Sequence, residues 1–170
     1  MLPMPISNHK KICEELSQTK KHVKVLWQTA DTLMFIARGR AYRSEFHINP
    51  SDETMTMLKG NMKLHFRKPE GGEGIAVLRE GETIYTAAGI PHSPRFPENA
   101  FLLVGERKRR MGENDVFQWF CPSCDNLIHK ESFLVDDYTK DPVSRAYDNF
   151  FDSLDARTCI DCGEIHPGRE

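Results

Sequence analysis

Two cysteine pairs, Cys121-x2-Cys124 and Cys159-x2-Cys162, constrain this chain more than any other feature. Each pair can put two thiolates on one ion, and two such turns facing each other complete a tetrahedral S4 site. The intervening segment must then fold back on itself. Gly163, directly after the second pair, suits the tight turn such a knuckle needs. A tail this small has little core of its own, so the ion is expected to hold it together. Spacing leaves Fe or Zn open, since both accept four thiolates. The fifth cysteine, Cys13, reads as a small apolar packing residue on a short helix with Ile12 and Leu16.

Upstream of the tail the pattern is of short apolar and β-branched runs punctuated by Gly and Pro. Candidate strands are Val23–Gln28, Thr32–Arg38, Arg43–Ile48, Thr54–Leu58, Met62–Phe66, Ile75–Leu78, Thr83–Thr86, Phe101–Glu106 and Val116–Phe120. Gly71-Gly72 reads as a hairpin turn. Many short strands without a long helical period indicate an all-β sandwich or barrel. Three zones follow: an N-terminal extension over 1–22 with a weakly amphipathic helical stretch, a barrel over 23–120, and a metal-binding tail over 121–170. Within the tail, Tyr147, Phe150, Phe151 and Leu154 fit a helical period.

Charged residues make up 28% of the chain and the net charge is −2, which gives no footprint for nucleic acid. The run Arg107-Lys108-Arg109-Arg110 reads as a solvated strand end, with steering of an anionic substrate as the alternative. No apolar run approaches the roughly 18 residues that span a bilayer, and the N-terminus lacks the apolar core of a secretion signal. A cytoplasmic protein with no membrane partner is expected, and in that setting four cysteines favour metal over disulfides.

The barrel zone carries His47-x5-Glu53-x6-Gly60 and Gly81-x7-Gly89-x2-His92. His47 ends one strand, Glu53 opens the next, and His92 follows a later turn. Two imidazoles and one carboxylate on one face of an ion leave open positions, an arrangement that suits Fe(II) with an organic substrate and O2 side by side. The two segments resemble the paired motifs of cupins, whose fold is a jelly-roll type β-barrel. Asn49 stands where cupins usually carry a second histidine, and Ala87 where the second motif has proline. His65, between Leu64 and Phe66, reads as an outward strand residue.

With RSEFHINPSDE, PHSPRFPE, VGERKR, VFQWFCPSCDNLIHK and CIDCGEIHPGRE, the chain resembles bacterial 3-hydroxyanthranilate 3,4-dioxygenases over roughly residues 23–170. That resemblance implies an extradiol-type non-haem Fe(II) enzyme that opens an aromatic ring bearing adjacent hydroxyl and amino groups. It implies a muconate semialdehyde product, rubredoxin-like iron in the tail, and a homodimer. His47, Glu53 and His92 match the iron ligands. Arg43 matches an arginine that holds the substrate carboxylate, and Glu106 an acidic residue near the substrate amine and hydroxyl, placed to accept a proton.

Three departures bear on the substrate. A second carboxylate-binding arginine would fall at Phe96, while this chain has Arg95 one place earlier. Thr54-Met55-Thr56-Met57 replaces an aromatic-rich run, and Val23 replaces a pocket asparagine. The standard ring cleavage is the first reading. Another substituted aminophenol or catechol is the second, and a non-catalytic cupin that binds a small molecule through its metal is the third.

Overall fold

The computed structural model describes residues 4–40, 42–140 and 142–168. Eleven antiparallel strands lie among them: β1 (Val23–Trp27), β2 (Thr32–Arg38), β3 (Phe46–Ile48), β4 (Glu53–Lys59), β5 (Met62–Arg67), β6 (Glu73–Leu78), β7 (Thr83–Thr86), β8 (His92–Arg95), β9 (Phe101–Arg107), β10 (Asp115–Phe120) and β11 (Leu127–Phe133). Helices α1 (His9–Ser17), α2 (Pro142–Phe151) and α3 (Leu154–Arg157) complete the set. The strands form a five-stranded sheet ordered β1-β2-β9-β4-β7 and a six-stranded sheet ordered β11-β10-β3-β8-β5-β6. Among the described residues, no helix is long and apolar enough to cross a membrane.

Alternation decides which side chains face inward, because successive strand residues point to opposite faces. Met55 and Met57 of β4, Met62 and Leu64 of β5, Leu78 of β6, and Leu102 and Val104 of β9 pack with Phe96 into one core between the two sheets. Thr54 and Thr56 take the outer face, where Thr56 Oγ1 lies 2.8 Å from Thr83 Oγ1. The Gly71-Gly72 turn joins β5 to β6 in the expected hairpin. Outside the sheets, α1 buries Leu16 against Ile36 and Phe101, and the half-buried Cys13 packs beside them as expected.

Two strands escape the pattern reading. β8 contains Pro94, which cannot donate to a ladder. It is tolerated because β3 meets β8 only at His47↔His92, so Pro94 lies beyond that pairing. β11 follows the first cysteine pair and runs along β10 from Asp115↔Phe133 to Phe120↔Leu127. The sheet therefore continues past residue 120, where the sequence pattern suggested a boundary. Helix α2 covers this extension through Val143, Ala146, Tyr147, Phe150 and Phe151, packed on Phe117 and Trp119. Trp119 and Phe150 stack with centroids 4.4 Å apart. Leu154, expected on the same helical face, instead opens α3 and is exposed.

Candidate metal centre

The strands bring His47, Glu53 and His92 together, with one ligand-type atom of each lying within 4.8 Å of the others. His47 and His92 are the one paired position between β3 and β8. Glu53 opens β4, directly across from Glu106 of β9. All three face a cavity of about 710 Å³ lined also by Arg43, Phe35, Met55 and Phe96.

The hydrogen bonds around the two rings fix their orientation. His92 Nδ1 lies 2.9 Å from the Ile90 carbonyl, so it donates and Nε2 keeps its lone pair. That nitrogen sits 2.8 Å from Glu53 Oε2, a buried oxygen with no hydrogen-bond partner. Two electron-pair donors held so close, out of water, fit a shared cation better than they fit each other. His47 Nε2 lies 2.6 Å from Asp115 Oδ1. Asp115 also receives Arg109 through Nε at 2.7 Å and Nη2 at 2.6 Å, so it is an anion and the imidazole donates to it. The other nitrogen of His47 is left with the lone pair a metal requires. Phe117 stacks on the His47 ring at 4.9 Å. The residues present therefore fit a divalent cation with two imidazoles and one carboxylate.

Charge around this point is arranged in a ring. Burial opposes ionisation of Glu53, but positive charge beside it, carried by His92 and His47 whenever those rings are protonated in place of binding a cation, outweighs burial and holds the carboxyl far below the usual range. Glu106 is pushed the other way, by its own burial and then by the charge of Glu53. Asn49 Nδ2 donates to Glu106 Oε2, and Arg109 Nη1 lies 3.3 Å from Oε1. Asn49 thus fills the place of a possible fourth ligand with a support for Glu106, and its Oδ1 accepts from Ser51 N at 2.8 Å.

Arg109 and Asp115 were not legible as site residues. The basic run is not uniformly solvated: Arg109 is 4% exposed, while Arg107 pairs with Glu113 at 2.5 and 2.6 Å. Asp115 shares a face of β10 with Phe117, the residue opposite His47. Only knowledge of that strand pairing would have exposed it.

Arg43 reaches the cavity from the segment before β3, its Nε 2.5 Å from Glu45 Oε1. Val23 and Met55 also line the space. Arg95 and Phe96 separate. Phe96 joins the core and the cavity wall. Arg95 alternates with His92 and Pro94, bonds Ser93 Oγ at 3.2 Å and holds its guanidinium carbon 5.6 Å from the Phe46 ring centroid. It lines the cavity as well, and its Nη1 lies 3.9 Å from Glu73 Oε1.

The four tail cysteines converge as well, with Sγ atoms within 4.8 Å of one another. The knuckles repeat one geometry. Asp125 N–H donates to the Cys121 carbonyl at 3.0 Å, and Gly163 N–H to that of Cys159 at 2.9 Å. Both residues have positive φ, 63° and 76°. Glycine takes that conformation freely, while Asp125 is held in it from outside. Arg67 of β5 grips its carboxylate with two bonds of 2.6 Å, and Gly72 N–H adds a third at 3.1 Å.

Two antiparallel sheets closed over an inward His–Glu–His cluster have the arrangement of a cupin-type barrel with a candidate metal centre. The description 3-hydroxyanthranilic acid dioxygenase matches residues 3–151, and the chain belongs to that family. It is 37% identical over 147 residues to the 3-hydroxyanthranilate 3,4-dioxygenase of Ruegeria pomeroyi, covering 85% of this chain and 80% of that one. The Bacillus cereus protein of the same name is 34% identical, over 91% of this chain and 86% of its own. A cupin-2 domain containing protein from Shewanella frigidimarina superposes on 61% of this chain and 95% of its own, with TM-score 0.47 and 18% identity.

Proposed function

We propose that this chain is a non-haem Fe(II) dioxygenase that opens the ring of 3-hydroxyanthranilate, or of a close ortho-aminophenol, to a muconate semialdehyde. What carries the reading is one cavity faced by the His47–Glu53–His92 cluster, the Arg43 guanidinium and the Glu106 carboxyl. Fe(II) on those three ligands would supply adjacent open positions for substrate and O2 and favour the ionised phenol. Arg43 holds the substrate carboxylate through its terminal N–H groups, a geometry guanidinium suits. Glu106, kept in place by Asn49 and Arg109, takes or returns a proton at the substrate hydroxyl or amine. Phe35, Met55, Phe96 and Val104 hold the ring edge and exclude water. The four tail cysteines hold Fe or Zn in a closed, structural site. The protein works as a homodimer in the reducing cytoplasm, where those thiols remain free to bind metal.

A second reading has its own support. Phe96 puts an apolar residue on the cavity wall where a second carboxylate partner would stand, while Arg95, which lines the same space, turns its Nε to Ser93 Oγ. A ring with an additional apolar substituent fits that wall. The test is anaerobic loading with Fe(II), addition of 3-hydroxyanthranilate, and admission of air. One O2 consumed per substrate with a new semialdehyde absorption supports the first reading. No uptake with iron bound sinks it and moves the assay to alkyl-substituted aminophenols and catechols. In the productive case, Arg43→Ala should raise KM about 100-fold, the loss of a bidentate charged contact. An unchanged KM would remove Arg43 from substrate binding.

A further inference from the structure

We propose that Tyr147, on the helix between the two cysteine pairs, is a positioning residue for carboxylate recognition: through Glu45 it fixes the Arg43 guanidinium in the cavity. The inference rests on the reading of that cavity as an aromatic-carboxylate site.

Glu45 is fully buried and both its oxygens are engaged. Oε1 accepts from Arg43 Nε at 2.5 Å, and Oε2 accepts from the Tyr147 hydroxyl. The same hydroxyl receives Ser44 N–H at 3.1 Å, which ties it to the backbone beside Arg43. A buried carboxylate keeps its place only while its lone pairs are met. Removing the hydroxyl therefore frees Glu45 to turn, and Arg43 turns with it. No other hydrogen-bond partner of Arg43 occurs among the described residues, so its terminal N–H groups are left for a ligand.

Tyr147 is itself immobilised. It packs in the cluster of Trp119, Phe150 and Phe151, with its ring centroid 4.9 Å from that of Phe151. Arg40 also lines the cavity near Arg43 and Glu45; its pKa falls to about 10, through burial first and then the charge of Arg43. The segment between the cysteine pairs adds Val135, Tyr138 and Val143 to the cavity wall. The tail thereby contributes to the substrate site through a side chain that never touches substrate.

The test compares 3-hydroxyanthranilate with 2-aminophenol, which lacks the carboxylate. Anaerobic Kd values on the full Fe(II)-loaded chain are measured first, then KM and kcat in air. The unmodified chain should bind the carboxylate ligand more tightly. Tyr147→Phe should lose about tenfold of that advantage, the scale of one charge-assisted hydrogen bond. Its 2-aminophenol affinity and its kcat should stay within about twofold. Glu45→Gln should lose the same discrimination, and it carries the test alone if Tyr147→Phe does not fold. In an Arg43→Ala background, Tyr147→Phe should add nothing further. Equal weakening of both ligands, persistence of the effect without Arg43, or an unmodified chain that ignores the carboxylate would each overturn the proposal. A chain that discriminates in binding yet consumes no O2 refutes ring cleavage alone, and the Kd comparison still decides the role of Tyr147.

Discussion

Asp115 holds one proposed ligand, His47, and is held in turn by Arg109, which also reaches Glu106. Partners of this kind usually account for 10- to 100-fold in metal affinity. Asp115→Asn should therefore weaken Fe(II) binding by about that factor in a competitive chelator titration. The pH sign is set by the same contacts. Burial works against the Asp115 anion, but the bonds from His47 and Arg109 prevail and lower its pKa below 3.8. Its contribution to stability is complete above that value and lost as pH falls through the lower, folded one. The Asn variant should show a shallower acid limb in stability-against-pH curves, and an unchanged limb would remove Asp115 as its source. Replacing His47, Glu53 or His92 by Ala should abolish barrel iron and O2 uptake while tail metal persists in elemental analysis. Turnover retained in any one of them would dissolve the proposed triad. The cluster of proposed ligands could be picked out because its spacing is local to two turns. Asp115 and Tyr147 could not, because the contacts that give them roles span 68 and 102 positions of sequence.

Among the elements, β10 and α2 share the densest aromatic packing, with Phe117, Trp119 and Phe150 fully buried. Phe150→Ala should cost about 3–5 kcal/mol, read from the urea midpoint. A loss under about 1 kcal/mol would show that α2 is not welded to the sheet. Gly39, just past β2, is a separate constraint. A Cβ there would lie 2.1 Å from the Pro97 carbonyl oxygen and 2.4 Å from that of Phe96. Gly39→Ala must push the cavity-wall segment away, so its effect should appear in KM as well as in stability. Most strands could be read from alternation, as in Met55 and Met57 against Thr54 and Thr56. β8 was hidden by its proline. β11 was hidden because it has no fully buried residue to mark a face.

At the scale of the whole molecule, the six-stranded sheet consists of two halves, β11-β10-β3 and β8-β5-β6. They meet in register only at His47↔His92. Farther along, Arg67 and Gly72 of the second half grip Asp125 in the first cysteine knuckle. Arg67→Ala should speed amide exchange in the 121–126 turn and loosen tail metal, and unchanged exchange there would show the knuckle to be self-sufficient. The pairing also gives the protein a mechanical character. Both sides of its seam carry proposed ligands of one ion, and the far end is latched to the shell of another. Iron at the proposed site would then fasten, like a clasp, a seam at which the two half-sheets share a single paired position.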